Sequence, residues 1–136
     1  MPERYIHKNL QQVADSAPDL GAADWQQSRF ASQDFASTDI GFTHHRFLPG
    51  KRQGFAHRHE QAEEFYVVLS GSGRLKLDDD ILDLAPLDAF RVAPQVLRTW
   101  EAGPDGLEVL AFGARVDGDE AVVPSDAEIV SGWWTD

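Results

Sequence analysis

The stretch His57-Arg58-His59-Glu60-Gln61-Ala62-Glu63-Glu64-Phe65-Tyr66-Val67-Val68-Leu69-Ser70-Gly71 carries most of what this chain discloses about itself. From Glu64 to Leu69 it is rich in β-branched and aromatic residues and is stopped by Gly71-Ser72-Gly73, the composition of a strand with a turn behind it. Side chains alternate between the two faces of a strand, so His57 and His59 share a face. By the same rule Glu64, Tyr66 and Val68 share one face of the next strand, and Phe65, Val67 and Leu69 share the other. Two imidazoles from one strand and a carboxylate from its neighbour, Glu63 or Glu64, can converge on one cation. Neutral imidazole with carboxylate suits zinc, iron, manganese, nickel or copper, and geometry rather than raw affinity selects among them. A His-x-His pair taken alone is also what two solvated histidines beside a turn look like. The strong strand that follows it argues for the site.

The flanking sequence keeps this texture. Ile40 to Leu48 is an apolar run closed by Pro49-Gly50. Arg74-Leu75-Lys76-Leu77 alternates, Asp78-Asp79-Asp80 interrupts, and Ile81 to Leu84 follows, which is the layout of a hairpin with an acidic turn. Ala89 to Ala93, Val96 to Trp100 and Leu107 to Phe112 are further strands, the last two expected to be joined by a tight turn at Gly103-Pro104-Asp105-Gly106. Short strands at close spacing, with no convincing long helix, indicate an all-β sandwich or barrel. The pattern divides the chain into an N-terminal arm over residues 1–36, a barrel over 37–116 and a C-terminal tail over 117–136. In the arm, Leu10 and Val13 suit a short helix ended by Pro18. The tail is acidic and loop-like but ends in Gly132-Trp133-Trp134, and two adjacent indoles are expected to pack on the barrel wall or on a second subunit.

Composition narrows the function classes. The chain has 136 residues, 42% hydrophobic and 26% charged, enough for one domain with its own core. Cysteine is absent, which excludes disulfides and thiolate metal sites. Acidic residues outnumber basic ones 23 to 12 and the formal charge is −11, so a phosphate backbone is repelled and no nucleic-acid partner is expected. No apolar run reaches the length of a membrane span, and no membrane partner is expected. The opening Met1-Pro2-Glu3-Arg4-Tyr5 lacks the basic-then-apolar layout of a secretory signal, and a cytoplasmic protein is the expectation. With no cysteine and no serine in an elbow motif, acyl transfer through a covalent intermediate is not expected.

The order His57-x-His59, four residues, Glu64, six residues, Gly71 resembles the first motif of the cupin family, and a weaker likeness extends from Phe42 to Phe112. The resemblance implies a double-stranded β-helix, the jelly-roll barrel of cupins, with a metal held inside it by His57, His59 and Glu64. It favours Glu64 over Glu63 through the spacing to Gly71, assigns Gly71 to a closing turn, and implies a homodimer. It does not name a reaction, because the fold hosts both enzymes and non-catalytic binders. The second family motif supplies a fourth ligand, a histidine after a Pro-Gly turn. Here Asp88 and Pro94 fit, Leu87 and Gln95 replace glycines, and Arg98 stands in place of the histidine. Guanidinium offers only donors and stays protonated, so Arg98 is no ligand. It can pair with Glu64 and leave the barrel metal-free, clamp an anionic ligand beside a metal held by three residues, or lean into solvent.

Two functions follow as expectations. The first is a metal-dependent enzyme acting on a small anionic substrate, with a divalent zinc, iron, manganese or nickel ion on His57, His59 and Glu64. Arg98 would fix a substrate carboxylate or phosphate, and Tyr66 would donate a hydrogen bond. His45 is the third candidate substrate contact, since one of His44 and His45 must face inward on a regular strand. The second is a metal-free small-molecule binding or sensing module with Arg98 and Glu64 as its polar floor. A homodimer is expected in either case, because the strand from Glu64 to Leu69 is apolar on both faces and its outer face needs a cover.

Overall fold

The computed structural model describes residues 3–115, 126–131 and 133–134. Eight antiparallel strands form one curled sheet: β1 (Gln26–Phe30), β2 (Ile40–Phe47), β3 (Phe55–His59), β4 (Glu64–Leu77), β5 (Asp80–Leu84), β6 (Ala89–Val92), β7 (Arg98–Ala114) and β8 (Ala127–Ser131). The order along one path is β1-β2-β7-β3-β8, and β4 pairs with β5, β6 and β7. This is the expected all-β, jelly-roll type of architecture. The helix expected near Leu10 is a single 3-10 turn, Leu10–Gln12, capped by the Asn9 side chain.

Two long strands set the curvature. β4 and β7 pair from Glu64 opposite Gly113 to Leu77 opposite Arg98, with register shifts between Val68 and Ser70 and between Gly71 and Gly73. The Gly103–Gly106 stretch, expected to be a tight turn between two strands, instead lies inside β7. Gly71, expected to close a turn, likewise lies inside β4. The physical reason is that the two glycine-rich stretches face each other, so both strands bend together and the ladder continues through the bend. Gly71 sits at φ +85°, and a Cβ there would collide with the Gly106 carbonyl. The acidic hairpin is as expected: Leu77 pairs with Asp80 across Asp78–Asp79, and Asp78 takes the positive φ, +51°, that such a turn needs.

Both terminal segments join the sheet. β1 lies in the N-terminal arm and pairs with β2, while β8 lies in the C-terminal tail and pairs with β3. Residues 117–125, 132, 135 and 136 of the tail lie outside the described residues. The two indoles pack on the barrel's own wall: Trp134 lies 4.9 Å from the Arg52 guanidinium and 5.3 Å from that of Arg74, and the Lys76 ammonium lies 4.5 Å from the Trp133 ring. Inside, Trp100 is the centre of the core, stacked on Phe47 at 5.5 Å and met edge-on by Tyr66 at 5.0 Å. Among the described residues no helix is long and apolar enough to cross a membrane.

Replacing Gly71 by Ala places a Cβ against the Gly106 carbonyl at a strained φ, and the cost expected is about 2 kcal/mol or more. Urea denaturation measures it. An unchanged midpoint would contradict the concerted bend of β4 and β7.

Candidate functional site

Strand parity assembles the site. β3 presents His57 and His59 to the interior, β4 opens with Glu64 and then Tyr66, and β7 opens with Arg98 directly opposite His57 in the ladder. These side chains meet at one atom, Oε1 of Glu64. The Tyr66 hydroxyl donates to it at 2.7 Å, His59 Nε2 lies at 3.0 Å and His57 Nε2 at 3.4 Å. Arg98 Nη2 lies 3.2 Å away as an ion pair without hydrogen-bond alignment.

Arg98 is held from every side. Its side chain is fully buried, Nε donates to the Tyr66 oxygen at 3.1 Å, and Nη1 donates to the carbonyls of Pro94 at 3.1 Å and Val96 at 2.7 Å. Of the three placements open to it from sequence, the structure has the pairing with Glu64. It lies behind the carboxylate and not on the cavity wall, whereas Tyr66 and His45 do line the cavity. Glu63 is half exposed and pairs with Arg91 at 3.4 Å, so Glu64 is the inward acid. His44 faces out and meets Glu108 at 2.9 Å, so His45 is the inward histidine.

Asp126 is a site residue that the motif does not reveal. It stands at the start of β8, 67 residues after His59, and its Oδ1 lies 3.0 Å from His59 Nδ1. Its Oδ2 accepts the backbone N–H groups of Gln61 at 3.0 Å and Ala62 at 2.9 Å. An isolated aspartate in an acidic tail carries no sequence signal for this role. Only the pairing of β8 with β3 brings it to the histidine.

The electrostatics follow from burial and pairing. Burial would raise the Glu64 carboxyl, yet the hydrogen bonds from His57 and His59 outweigh it and hold it well below the usual carboxylate range. Burial opposes protonation of His59, but its bonds to Glu64 and Asp126 win and its pKa is raised. His57 goes the other way: desolvation dominates its bond to Glu64, and its pKa is lowered. The Tyr66 phenol is pushed well above its ordinary value by burial and by the adjacent Glu64 charge, so it stays a donor.

Above this floor opens a cavity of about 370 Å³, walled by Phe30, Phe42, Phe55, Trp100, Phe112 and Ile129 among others. The donor set on its floor fits a divalent cation. His57, His59 and Glu64 each offer one ligand atom, all within 4.8 Å of one another. The hydrogen bond between His59 Nδ1 and Asp126 is the outer contact that turns a ligating imidazole's Nε2 lone pair toward a metal. Arg98 offers no lone pair, so among the described residues this group provides three protein ligands.

Comparison with known proteins agrees with this architecture. Residues 43–111 match the cupin domain family. A search of curated proteins finds no match. Among solved structures, the chain is similar to a cupin protein from Bacteroides fragilis, with 23% identity, a TM-score of 0.67 and coverage of 90% of this chain and 93% of that one. It is similar to the polyketide cyclase RemF from Streptomyces resistomycificus at 15% identity and a TM-score of 0.72, covering 96% and 87% of the two chains. It is also similar to KdgF from Halomonas sp. at 26% identity and a TM-score of 0.55, covering 68% and 82%. The family match spans half of the chain and includes the two histidines, the glutamate and the glycine of the motif, and the chain belongs to the cupin family.

Proposed function

We propose that the barrel holds a divalent zinc, iron, manganese or nickel ion on His57, His59 and Glu64 and acts on a small anionic molecule in the cavity above it. The observation that carries this reading is the convergence of two imidazole nitrogens and one carboxylate oxygen, with the outer nitrogen of one imidazole already held by Asp126. Such an ion, when bound, polarises a ligand oxygen as a Lewis acid. The chain's own residues do the rest. Asp126 keeps the proton of neutral His59 on Nδ1 and its lone pair on the inward Nε2. Arg98 and Tyr66 hold the Glu64 carboxylate oriented, so Arg98 is a positioning residue that works through Glu64. The Tyr66 hydroxyl proton is committed to Glu64, which leaves its ring as the cavity surface. A divalent ion added to Arg98, Glu64 and Asp126 leaves a net positive floor, which an anionic ligand neutralises. The aromatic walls exclude water from that contact.

One observation favours a second reading, a metal-free binding or sensing module. Arg98 and a protonated His59 already balance the charges of Glu64 and Asp126 without any ion. In both readings the chain is cytoplasmic and a homodimer, joined through the outer face of β4, where Phe65 and Leu69 remain 46% and 38% exposed. Light scattering at twice the chain mass supports the dimer, and a clean monomer overturns it.

Metal analysis of protein purified without chelators or affinity-resin metal separates the two readings. Stoichiometric metal is expected, lost in His57→Ala and weakened about 10–100-fold in Asp126→Asn, which removes the charge behind His59 Nδ1. Absence of metal after reconstitution with each of the four ions would leave the metal-free module. The pH dependence has a definite sign. The folded pKa of His59 is raised, so a proton must leave Nε2 before a metal binds below that pKa, while Glu64 stays ionised. Metal affinity is therefore expected to be flat at alkaline pH and to fall by about tenfold per pH unit on acidification through the His59 titration. Affinity that rises as pH falls would contradict the assignment.

A further inference from the structure

A second polar array, of which Gln26, Gln53 and His45 line the cavity, is not used by the metal floor. Thr99 Oγ1 bonds the Phe55 carbonyl at 2.8 Å and approaches Gln53 Oε1 at 3.4 Å. Gln53 Nε2 donates to Gln26 Oε1 at 3.0 Å, and Gln26 Nε2 donates to Ser28 Oγ at 2.7 Å. Ser28 Oγ lies 2.7 Å from His45 Nδ1. Gln26, Ser28, Gln53 and Thr99 are all buried, between 0% and 5% exposed, so their polar groups turn to one another. The array has a direction. Ser28 Oγ accepts from Gln26, and its own proton then goes to its remaining neighbour, His45 Nδ1. With Nδ1 accepting, the single proton of the neutral ring sits on Nε2.

Two aromatic rings flank the imidazole in this arrangement. It stacks on Phe47 at 5.7 Å and meets Phe30 edge-on at 6.2 Å. Its Nε2 has no hydrogen-bond partner among the described residues, and the residue lines the cavity. Burial lowers the pKa of His45 to about 4, so the ring is neutral under ordinary conditions. The negative charge of Glu64 acts on the same ring and partly offsets the effect of burial.

We infer that His45 is a fixed hydrogen-bond donor to the bound molecule, and that this molecule is a ring-bearing, largely apolar compound carrying a carboxylate or carbonyl oxygen on the side facing β2. The aromatic walls select the ring, and a cavity of about 370 Å³ has room for one or two fused rings. The donor selects an acceptor: a ligand amine or hydroxyl proton directed at His45 would meet another proton. This inference rests on the cavity being the ligand site, as proposed above, but it does not rest on a metal.

Nitrogen-15 spectroscopy of histidine-labelled protein, metal-free and zinc-loaded, tests it directly. The expected result is one His45 tautomer with the proton on Nε2 in both samples, and loss of that single tautomer in Ser28→Ala. A proton on Nδ1, which is what the array would give if it ran in the opposite direction, overturns the inference, as does rapid exchange between tautomers in the unaltered protein. Benzoate and 2-naphthoate then probe the donor. At least one is expected to shift the Nε2 proton downfield and to bind about tenfold more weakly to His45→Phe, with His44→Phe unchanged as the outward control. Binding of neither probe, or equal binding to His45→Phe, also overturns it. A metal-free protein with the Nε2 tautomer would sink only the metal reading. A metal-loaded protein with the Nδ1 tautomer would sink only this one.

Discussion

A carboxylate taken inside a barrel must be answered by partners or it will not stay charged, and Glu64 is answered on one oxygen by two imidazoles, a phenol and a guanidinium. Much of the local structure is arranged around this meeting. Arg98 reaches it only because the carbonyls of Pro94 and Val96, in the connection between β6 and β7, hold its other donors. Tyr66 reaches it because its ring is fixed against Trp100 at the centre of the core. The packing of the barrel and the charge of its floor are one construction.

The terminal strands complete that construction from outside the family-matched segment. β8 brings Asp126 to the outer nitrogen of His59, and β1 carries Gln26 and Ser28 to His45, which they orient. The two histidines that matter most are thus each oriented through Nδ1 by a residue from one end of the chain. Their inward nitrogens have opposite character: that of His59 is disposed to accept a cation, and that of His45 to donate a proton-bearing bond. With the proposed cation in place, a cavity that offers both a Lewis acid and a hydrogen-bond donor suits a ligand with two oxygens.

The central part of this was legible in the sequence because period-two alternation is a strong signal. It placed His57 with His59, put Glu64, Tyr66 and Val68 inward, and left Phe65 and Leu69 outward, as the structure has them. Arg98 was recognisable as the departure in the second motif, but its partner was not, since three placements are compatible with a guanidinium on a strand start. β1 was hidden because two of its three inward side chains, Gln26 and Ser28, are polar and bonded to one another, so the run reads as surface. β8 was hidden because it is short, and Asp126 because its role exists only through a pairing 67 residues away in sequence. The glycines of Gly71–Gly73 and Gly103–Gly106 read as chain reversals, whereas facing each other they permit a shared bend.

The most direct test of the construction is a double-mutant cycle on metal-free protein with Arg98→Met and Glu64→Gln, read by chemical denaturation. Removing either partner strands the other's charge in the barrel, and each single change is expected to cost about 3–5 kcal/mol. The pair changed together is expected to cost clearly less than the two single losses combined, because no charge is then left alone. Strictly additive losses would mean that Arg98 and Glu64 do not answer one another, and the floor of the cavity as described here would be wrong.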